Sequence, residues 1–567
     1  MIEAIPPGLL LIVGALLVPL LPARWPRNTY MLLLPFLGAL HMWMLPDGYA
    51  LHSTLWGYDL HLVRVDGLSR IFGLVFHLAA LLSVMYSLHI NDRVQQVAAL
   101  MYSGSAIGAV FAGDLPTLFL YWEGTAITSV FLIWARRSER SYKVGLRYLI
   151  IQVLSGVLLL AGTIILYKET GSLAFNRIGL GGTGNTLIFL SFGIKAAFPF
   201  LHNWLQDAYP EATPTGTVWL SAFTTKLAIY ALARGFAGTE ILIPIGAAMT
   251  AFPVFFAVIE NDLRRVLSYS LNNQLGFMIV GIGIGSDLAL NGAASHAFAH
   301  IIYKGLLFMG MGAVLHRTGT IKASELGGLY KSMPWTTGFT MVGAAAISAF
   351  PLFSGFVTKS MVLTAAAEEH HTIAFLVLLF ASAGVLHHSG IKIPYFAFFA
   401  HDSGKRPKEA PLNMLIAMGV AAFLCIGIGV YPAPLYAILP FPMEEPYNAY
   451  HMTHVVTQLQ LLVFAALAFV FLARTHLEPP ELDATHIDTD VLYRKFVPAV
   501  LRQVESTWGV ARQAMEERAA ALGTSGLSWL RAHASPGGTV GEPWPTSSTA
   551  LWASVFLTVW LVFYFVT

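Results

Sequence analysis

About sixteen stretches of mostly apolar residues follow one another along this chain. They lie near 8–22, 29–45, 68–90, 97–113, 115–135, 146–167, 186–206, 216–236, 241–259, 264–284, 289–315, 336–366, 372–400, 412–431, 454–473 and 549–566. About 20 such residues let an α-helix cross the hydrocarbon of a bilayer. Backbone polar groups find no water there, so each segment must satisfy its own hydrogen bonds as a helix. Charge is correspondingly scarce: 11% of 567 residues, against the roughly 25% of an ordinary soluble domain. Hydrophobic residues make up 56% and mean hydropathy is +0.65. A soluble enzyme with a single anchor is excluded. The net charge of +2 is too small to suggest a nucleic-acid partner. The single cysteine, Cys425, sits in an apolar run and rules out an intrachain disulfide or a Cys-ligated cluster. The first apolar run begins at Pro6 without a basic leader or a small-residue cleavage site, and reads as a permanent helix.

Basic residues concentrate in alternate loops. Loops after odd-numbered segments hold Arg24, Arg27, Arg93, Arg136, Arg137, Arg140, Lys143, Arg264, Arg265, Arg317, Lys322, Lys331, Lys405, Arg406 and Lys408. Loops after even-numbered segments hold only Arg64, Lys168, Arg177 and Arg234. The bias predicts that the first group is cytoplasmic and the N-terminus outside, in a multi-pass protein of a bacterial inner membrane. The stretch 474–548 departs from the pattern. Leu492, Phe496, Val500, Val504, Trp508, Ala511 and Met515 give one apolar face over 490–522. That predicts an amphipathic helix roughly 50 Å long, bent at Pro498, on the membrane surface or along a neighbouring subunit.

An ionisable group at the bilayer centre costs roughly 2.5–3.5 kcal/mol. The apolar segments nevertheless contain Glu123, Lys195, Lys226, Lys304, Lys359 and Lys392, with His296 and His300. Unpaired in lipid, they would together cost on the order of 15 kcal/mol, more than the net stability of many domains. They are expected to face one another or a hydrated interior. Lys359 and Lys392 leave a second reading open, in which long stems snorkel to an interface. His296, His300 and Lys304 recur at i, i+4 and i+8, stacking about 6 Å apart on one helix face. Joined by water, such a file relays protons. It does not suit metal ions, which want several carboxylates, carbonyls or thiolates. Neither a metal nor a cofactor is expected.

Two segments carry helix breakers at depth: Pro199 in Ala197-Phe198-Pro199-Phe200 and Pro351 in Ala349-Phe350-Pro351-Leu352. Such breaks are tolerated where freed backbone lines a protein interior or a water cavity, and paired breaks mark the conduction route of transporters. They suggest an internal repeat. Its register stays open, because the spacings Lys195 to Lys226 and Lys359 to Lys392 also fit a repeat, and aligning the prolines does not align Lys195 with Lys359.

Over roughly residues 60–400 these motifs resemble the antiporter-like proton-pumping subunits of respiratory complex I (NADH:quinone oxidoreductase) and the large subunits of Mrp cation/proton antiporters. Tyr121-Trp122-Glu123 is similar to the family's Trp-Glu helix, and the run from Lys195 to Pro214 to its most specific motif. Lys226 matches the lysine of the following helix. Asp262 to Ser270 matches a cytoplasmic loop motif, and the His296-His300-Lys304 face and Ser354 to Lys359 complete the set. The resemblance implies that Glu123 pairs with Lys195 and that Lys195 is the central proton carrier. Two departures stand out: Gln274 where the family often has histidine, and Ser360-Met361 where many members carry acids. The C-terminal amphipathic stretch and last helix resemble a shortened lateral helix of the largest complex I pump subunit.

The expected fold is an all-α polytopic membrane protein of about sixteen transmembrane helices. It would contain two five-helix inverted repeats with broken helices, a C-terminal amphipathic surface helix and a final anchor. The expected parts are 1–96 (N-terminal helices), 97–240 and 241–400 (the repeats), 401–473 (C-terminal helices), 474–548 (lateral segment) and 549–567 (last helix). The expected function is proton movement along Glu123, Lys195, Lys226, His300, Lys304 and Lys359, with His296 and Lys392 as lesser members. No redox chemistry is expected of the chain itself. Its partners would be other membrane subunits, the bilayer, protons and, in an Mrp-type antiporter, sodium. The alternatives are a redox-driven complex I-like pump, an inorganic-carbon uptake complex and a membrane subunit with a purely structural role.

Overall fold

The computed structural model describes residues 5–55, 57–443, 445, 447–475, 477, 479, 481–482, 487–535, 538 and 546–566. The chain divides into two compact units, Met1–His486 and Ile487–Thr567.

The first unit opens with α1 (Pro7–Leu17), α2 (Arg24–Met44) and a hairpin of β1 (Ala50–Leu55) and β2 (Tyr58–Arg64). Helices follow: α3 (Gly67–Ser87), α4 (Arg93–Phe111), α5 (Leu115–Trp134), α6 (Glu139–Thr170), α7 (Thr183–Ala196), α8 (Asn203–Glu211), α9 (Gly216–Ala222), α10 (Thr224–Gly235), α11 (Leu242–Ile259), α12 (Leu263–Ile284) and α13 (Asp287–Thr318). Then come α14 (Pro334–Ile347), α15 (Ser354–Glu368), α16 (Thr372–Val385), α17 (Leu412–Val430), α18 (Ala433–Tyr436) and α19 (Met452–Arg474). Each of the sixteen apolar segments falls on a helix or helix pair. Ten helices among the described residues are individually long and apolar enough to cross a membrane. Side-chain oxygens start many of them: Asp66, Asp92, Asp114, Ser138 and Asp262 cap α3, α4, α5, α6 and α12. The hairpin is an addition to the all-α expectation. It lies between two spans, where strand pairing can satisfy the backbone, and Gly57 supplies a positive φ at its turn.

Contacts sort the loops onto two faces. On one face Arg24 donates to Leu88, Arg137 pairs with Asp92, Arg136 and Arg140 pair with Glu211, and Lys331 pairs with Asp402. All of these lie at the ends of odd-numbered segments. On the other, Gly113 donates to His61, Arg64 to Asn176 and Gly238 to Ile282. These lie at the ends of even-numbered segments, so the alternation of loop charge corresponds to a real two-sided packing.

Two runs of five segments share one plan. In residues 93–235 the helices are 19, 20 and 32 residues long, then α7 and α8 form a broken helix and α9–α10 a divided one. In residues 242–399 they are 18, 22 and 32 residues long, then α14 and α15 form a broken helix. There α16 continues into two π-helical stretches, Leu386–Lys392 and Tyr395–Phe399. The breaks match residue for residue. Ala197 (φ 62°) and Phe200 (φ 68°) flank Pro199, and Ala349 (φ 57°) and Leu352 (φ 73°) flank Pro351. The proline register is therefore the structural one, and Lys195 precedes its break while Lys359 follows. The break between α9 and α10 at Phe223 was not expected from sequence, having neither proline nor glycine at its centre.

In the second unit, a π-helical turn Leu492–Phe496 runs into α20 (Val497–Ala534), and α21 (Thr546–Val566) forms the last apolar helix. α20 is 38 residues long, longer than the expected 490–522. Pro498 stands in its first turn instead of bending its middle, because a first-turn residue has no intrahelical N–H bond to lose. Of the expected segment 474–548, residues 476, 478, 480, 483–486, 536, 537 and 539–545 lie outside those described.

Candidate functional site

The basic groups at membrane depth are all internal. Lys195, Lys226, His296, His300, Lys304 and Lys392 are 0% exposed and Lys359 is 1% exposed. Snorkelling of Lys359 and Lys392 is thereby excluded. Glu123 is half-buried.

At one end, α5 and α7 bring Glu123 and Lys195 together. The Lys195 ammonium donates to the Trp122 carbonyl at 2.7 Å and the Thr125 hydroxyl at 2.8 Å, and lies 4.4 Å from the Trp122 ring centroid. The indole is fixed in turn, its N–H donating to Ser155 Oγ at 3.0 Å. Glu123 and Lys195 interact electrostatically, yet the buried Glu123 Oε1 makes no hydrogen bond among the described residues. The observed relation between the two groups is electrostatic. Gly156 makes room for it, since a Cβ there would fall 1.5 Å from Glu123 Oε1.

Buried hydroxyls pair among the helices of the first run. Ser129 and Tyr148 are 2.8 Å apart, and Tyr102 and Thr224 2.6 Å apart. The division at Phe223 has a local purpose. It frees the Ser221 carbonyl to accept from Lys226 Nζ at 2.7 Å, while Thr224 N–H donates to Tyr102 Oη at 3.0 Å.

The 32-residue α13 supplies the centre. The His296 and His300 rings stack with centroids 6.2 Å apart, as the i, i+4 spacing implies. His296 Nδ1 is 3.1 Å from Thr358 Oγ1, and the Tyr303 hydroxyl donates to Gln274 Oε1 at 3.1 Å. Gln274 thus joins the network at the position where the family often has histidine. Both His300 nitrogens and Lys304 Nζ are buried without a hydrogen-bond partner among the described residues. Buried polar groups of this kind are served by internal water. His300 interacts electrostatically with Lys226, Lys304, His296 and Lys359, linking both five-helix runs.

Lys359 Nζ donates to the Ile347 carbonyl at 3.2 Å and lies 4.8 Å from the Phe277 ring centroid. A further buried histidine acts on these lysines and was not singled out from sequence. His388, in the π-helical stretch, interacts electrostatically with Lys304, Lys359 and Lys392. The spacing of His388 and Lys392 is i, i+4 in an apolar segment, the same signal that marks α13. Lys392 donates to the Val258 carbonyl, and its ammonium is 3.8 Å from Glu481 Oε1. Glu481 was also missed, because it lies in a polar stretch far along the chain.

Sequence comparison matches residues 112–386 to the family described as NADH:quinone oxidoreductase/Mrp antiporter, TM. The chain is similar to one of the Na(+)/H(+) antiporter subunits of Alkalihalophilus pseudofirmus, 30% identical over 455 residues, covering 70% of this chain and 56% of that protein. It is also similar to a second of the Na(+)/H(+) antiporter subunits of the same organism, 30% identical over 357 residues, covering 58% of this chain and 72% of that protein. Among solved structures, the Mrp complex from Dietzia sp. DQ12-45-1b shares the fold, with a TM-score of 0.78 at 22% identity over 93% of this chain and 63% of that one. The chain spans about half the length of the curated relatives it matches first: 56% and 42%. By that match and by these relatives, this chain belongs to the NADH:quinone oxidoreductase/Mrp antiporter family of membrane proteins.

Proposed function

We propose that the chain is a proton-translocating membrane subunit of a multi-subunit cation/proton antiporter of the Mrp type. It would sit in a bacterial inner membrane with its N-terminus outside. The supporting observation is the set of buried amines and imidazoles, Lys195, Lys226, His300, Lys304, Lys359, His388 and Lys392, in which His300 and His388 each interact electrostatically with several of the lysines. Burying these groups is costly, and ionisable residues at membrane depth mark ion and proton routes. Glu123 holds the Lys195 proton by its field: a unit charge pair at 4 Å is worth roughly 4 kcal/mol at an effective dielectric of 20. When a neighbouring subunit shifts α5 or α7, that hold weakens and the proton passes along the file. Lys359, just beyond the second break, delivers it to the outer side.

The test is proton flux into proteoliposomes holding the assembled complex, with and without a sodium gradient. Sodium-dependent flux that disappears in Lys195→Ala supports the reading. Sodium-independent flux assigns the same axis to a redox-driven or carbon-uptake assembly, and normal flux in Lys195→Ala removes the mechanism altogether.

A further inference from the structure

We infer that the β1–β2 hairpin carries a site for a divalent transition-metal ion of the zinc class, formed by His52, Asp59 and His61. Strand register assembles it. His52 stands directly opposite His61, and Asp59, two residues before His61, projects from the same face. One ligand atom from each lies within 4.8 Å of the others. Ligand atoms about 2.0–2.1 Å from a tetrahedral zinc stand roughly 3.4 Å apart, so small side-chain rotations close the set. The two imidazoles already meet edge to face, with centroids 4.0 Å apart. Two imidazoles and one carboxylate, with a position left for water, make a donor set for zinc-like ions; calcium and magnesium want more oxygen.

The surroundings hold one ligand and leave the other two free to turn. The His61 N–H donates to Asp114 Oδ2 at 2.6 Å, and its carbonyl accepts from Gly113 at 2.9 Å. Gly113 permits this approach, because a Cβ there would come 2.8 Å from the His61 Cβ. The buried Asp114 carboxylate also interacts electrostatically with His61. His52 and Asp59 are exposed. A bound ion clamps the two strands together and fastens them to the cap of α5, the helix that carries Glu123. The site departs from the expectation of no metal, because cross-strand register creates it and a sequence read along one strand does not reveal it.

The experiment uses the full-length chain, purified in detergent through a tag free of histidine. It is titrated with Zn²⁺ by calorimetry and with Co²⁺ by visible absorption. The intact chain takes up one tight equivalent, and Co²⁺ shows the ligand-field bands of a four-coordinate site. His52→Ala, Asp59→Asn and His61→Ala each weaken that equivalent by more than the roughly 100-fold that loss of an outer partner alone can cause. His401→Ala, at an exposed histidine elsewhere, leaves it unchanged. Asp59→Asn keeps the side-chain shape and decides the matter should an alanine variant fail to fold, which circular dichroism reports. A chain with no tight equivalent, or one whose tight equivalent survives all three ligand substitutions, overturns the site.

Discussion

The two five-segment runs share a backbone plan and differ in charge. In both, the broken helix presents a buried lysine to a backbone carbonyl and to an aromatic ring of the run's second helix: Lys195 to Trp122, Lys359 to Phe277. In the first run that second helix, α5, also carries Glu123. In the second run the corresponding helix, α12, buries Asn272, Asn273 and Gln274, which are polar and uncharged. The carboxylate nearest the far end of the file is Glu481, which belongs to neither run. A ring face is worth about 0.5–2 kcal/mol to a cation, less than the roughly 4 kcal/mol of a close carboxylate at moderate dielectric. On the proposed function, one scaffold would make a site that holds a proton in its first copy and one that gives it up in its second.

This contrast can be broken at several points. The largest effect is expected at its acidic end: Glu123→Ala, like Lys195→Ala, should reduce proton flux in proteoliposomes to that of empty vesicles while the protein still assembles in the membrane. Full flux in Glu123→Ala would mean that the two runs do not differ in function. Beside Lys392, Glu481→Gln and His388→Ala should each slow flux about tenfold, the equivalent of roughly 1.4 kcal/mol on the barrier; unchanged flux would place both residues off the route. Gly156→Ala tests the field without touching either charge. Its methyl occupies the place of Glu123 Oε1 and must displace the carboxylate, and flux should fall several-fold with the Lys195 hydrogen bonds intact. The smallest effect concerns the shared backbone. Ala197→Gly and Ala349→Gly each relieve a left-handed residue and should raise thermal stability by the same increment, up to about 1 kcal/mol. Unequal increments would show that the two breaks are not equivalent.

The lysines and α13 histidines were legible because an ionisable residue in an apolar run is expensive wherever it points, and expense marks purpose. The Pro199 and Pro351 breaks were legible because proline cannot donate to a helix. Four features escaped, and one of them, His388, carried the same i, i+4 signal toward Lys392 as the α13 histidines. The break at Phe223 has no breaker in its sequence and depends on Tyr102 and Lys226, which take over the bonds that helix would otherwise make. Glu481 lies in a polar stretch where a carboxylate costs nothing, so no anomaly pointed to it. The hairpin lies outside the apolar runs, and its pairing depends on register.

Sequence alone determined that this chain lives in a bilayer, that it is built of helices whose loops alternate in charge, and which basic groups are buried. Those conclusions follow from solvation, a cost that each residue incurs locally. Tertiary structure decided how the two runs correspond, that Glu123 and Lys195 interact, and that His388 and Glu481 both act on Lys392. These are distances between segments far apart along the chain, and only the packing of helices against one another sets them.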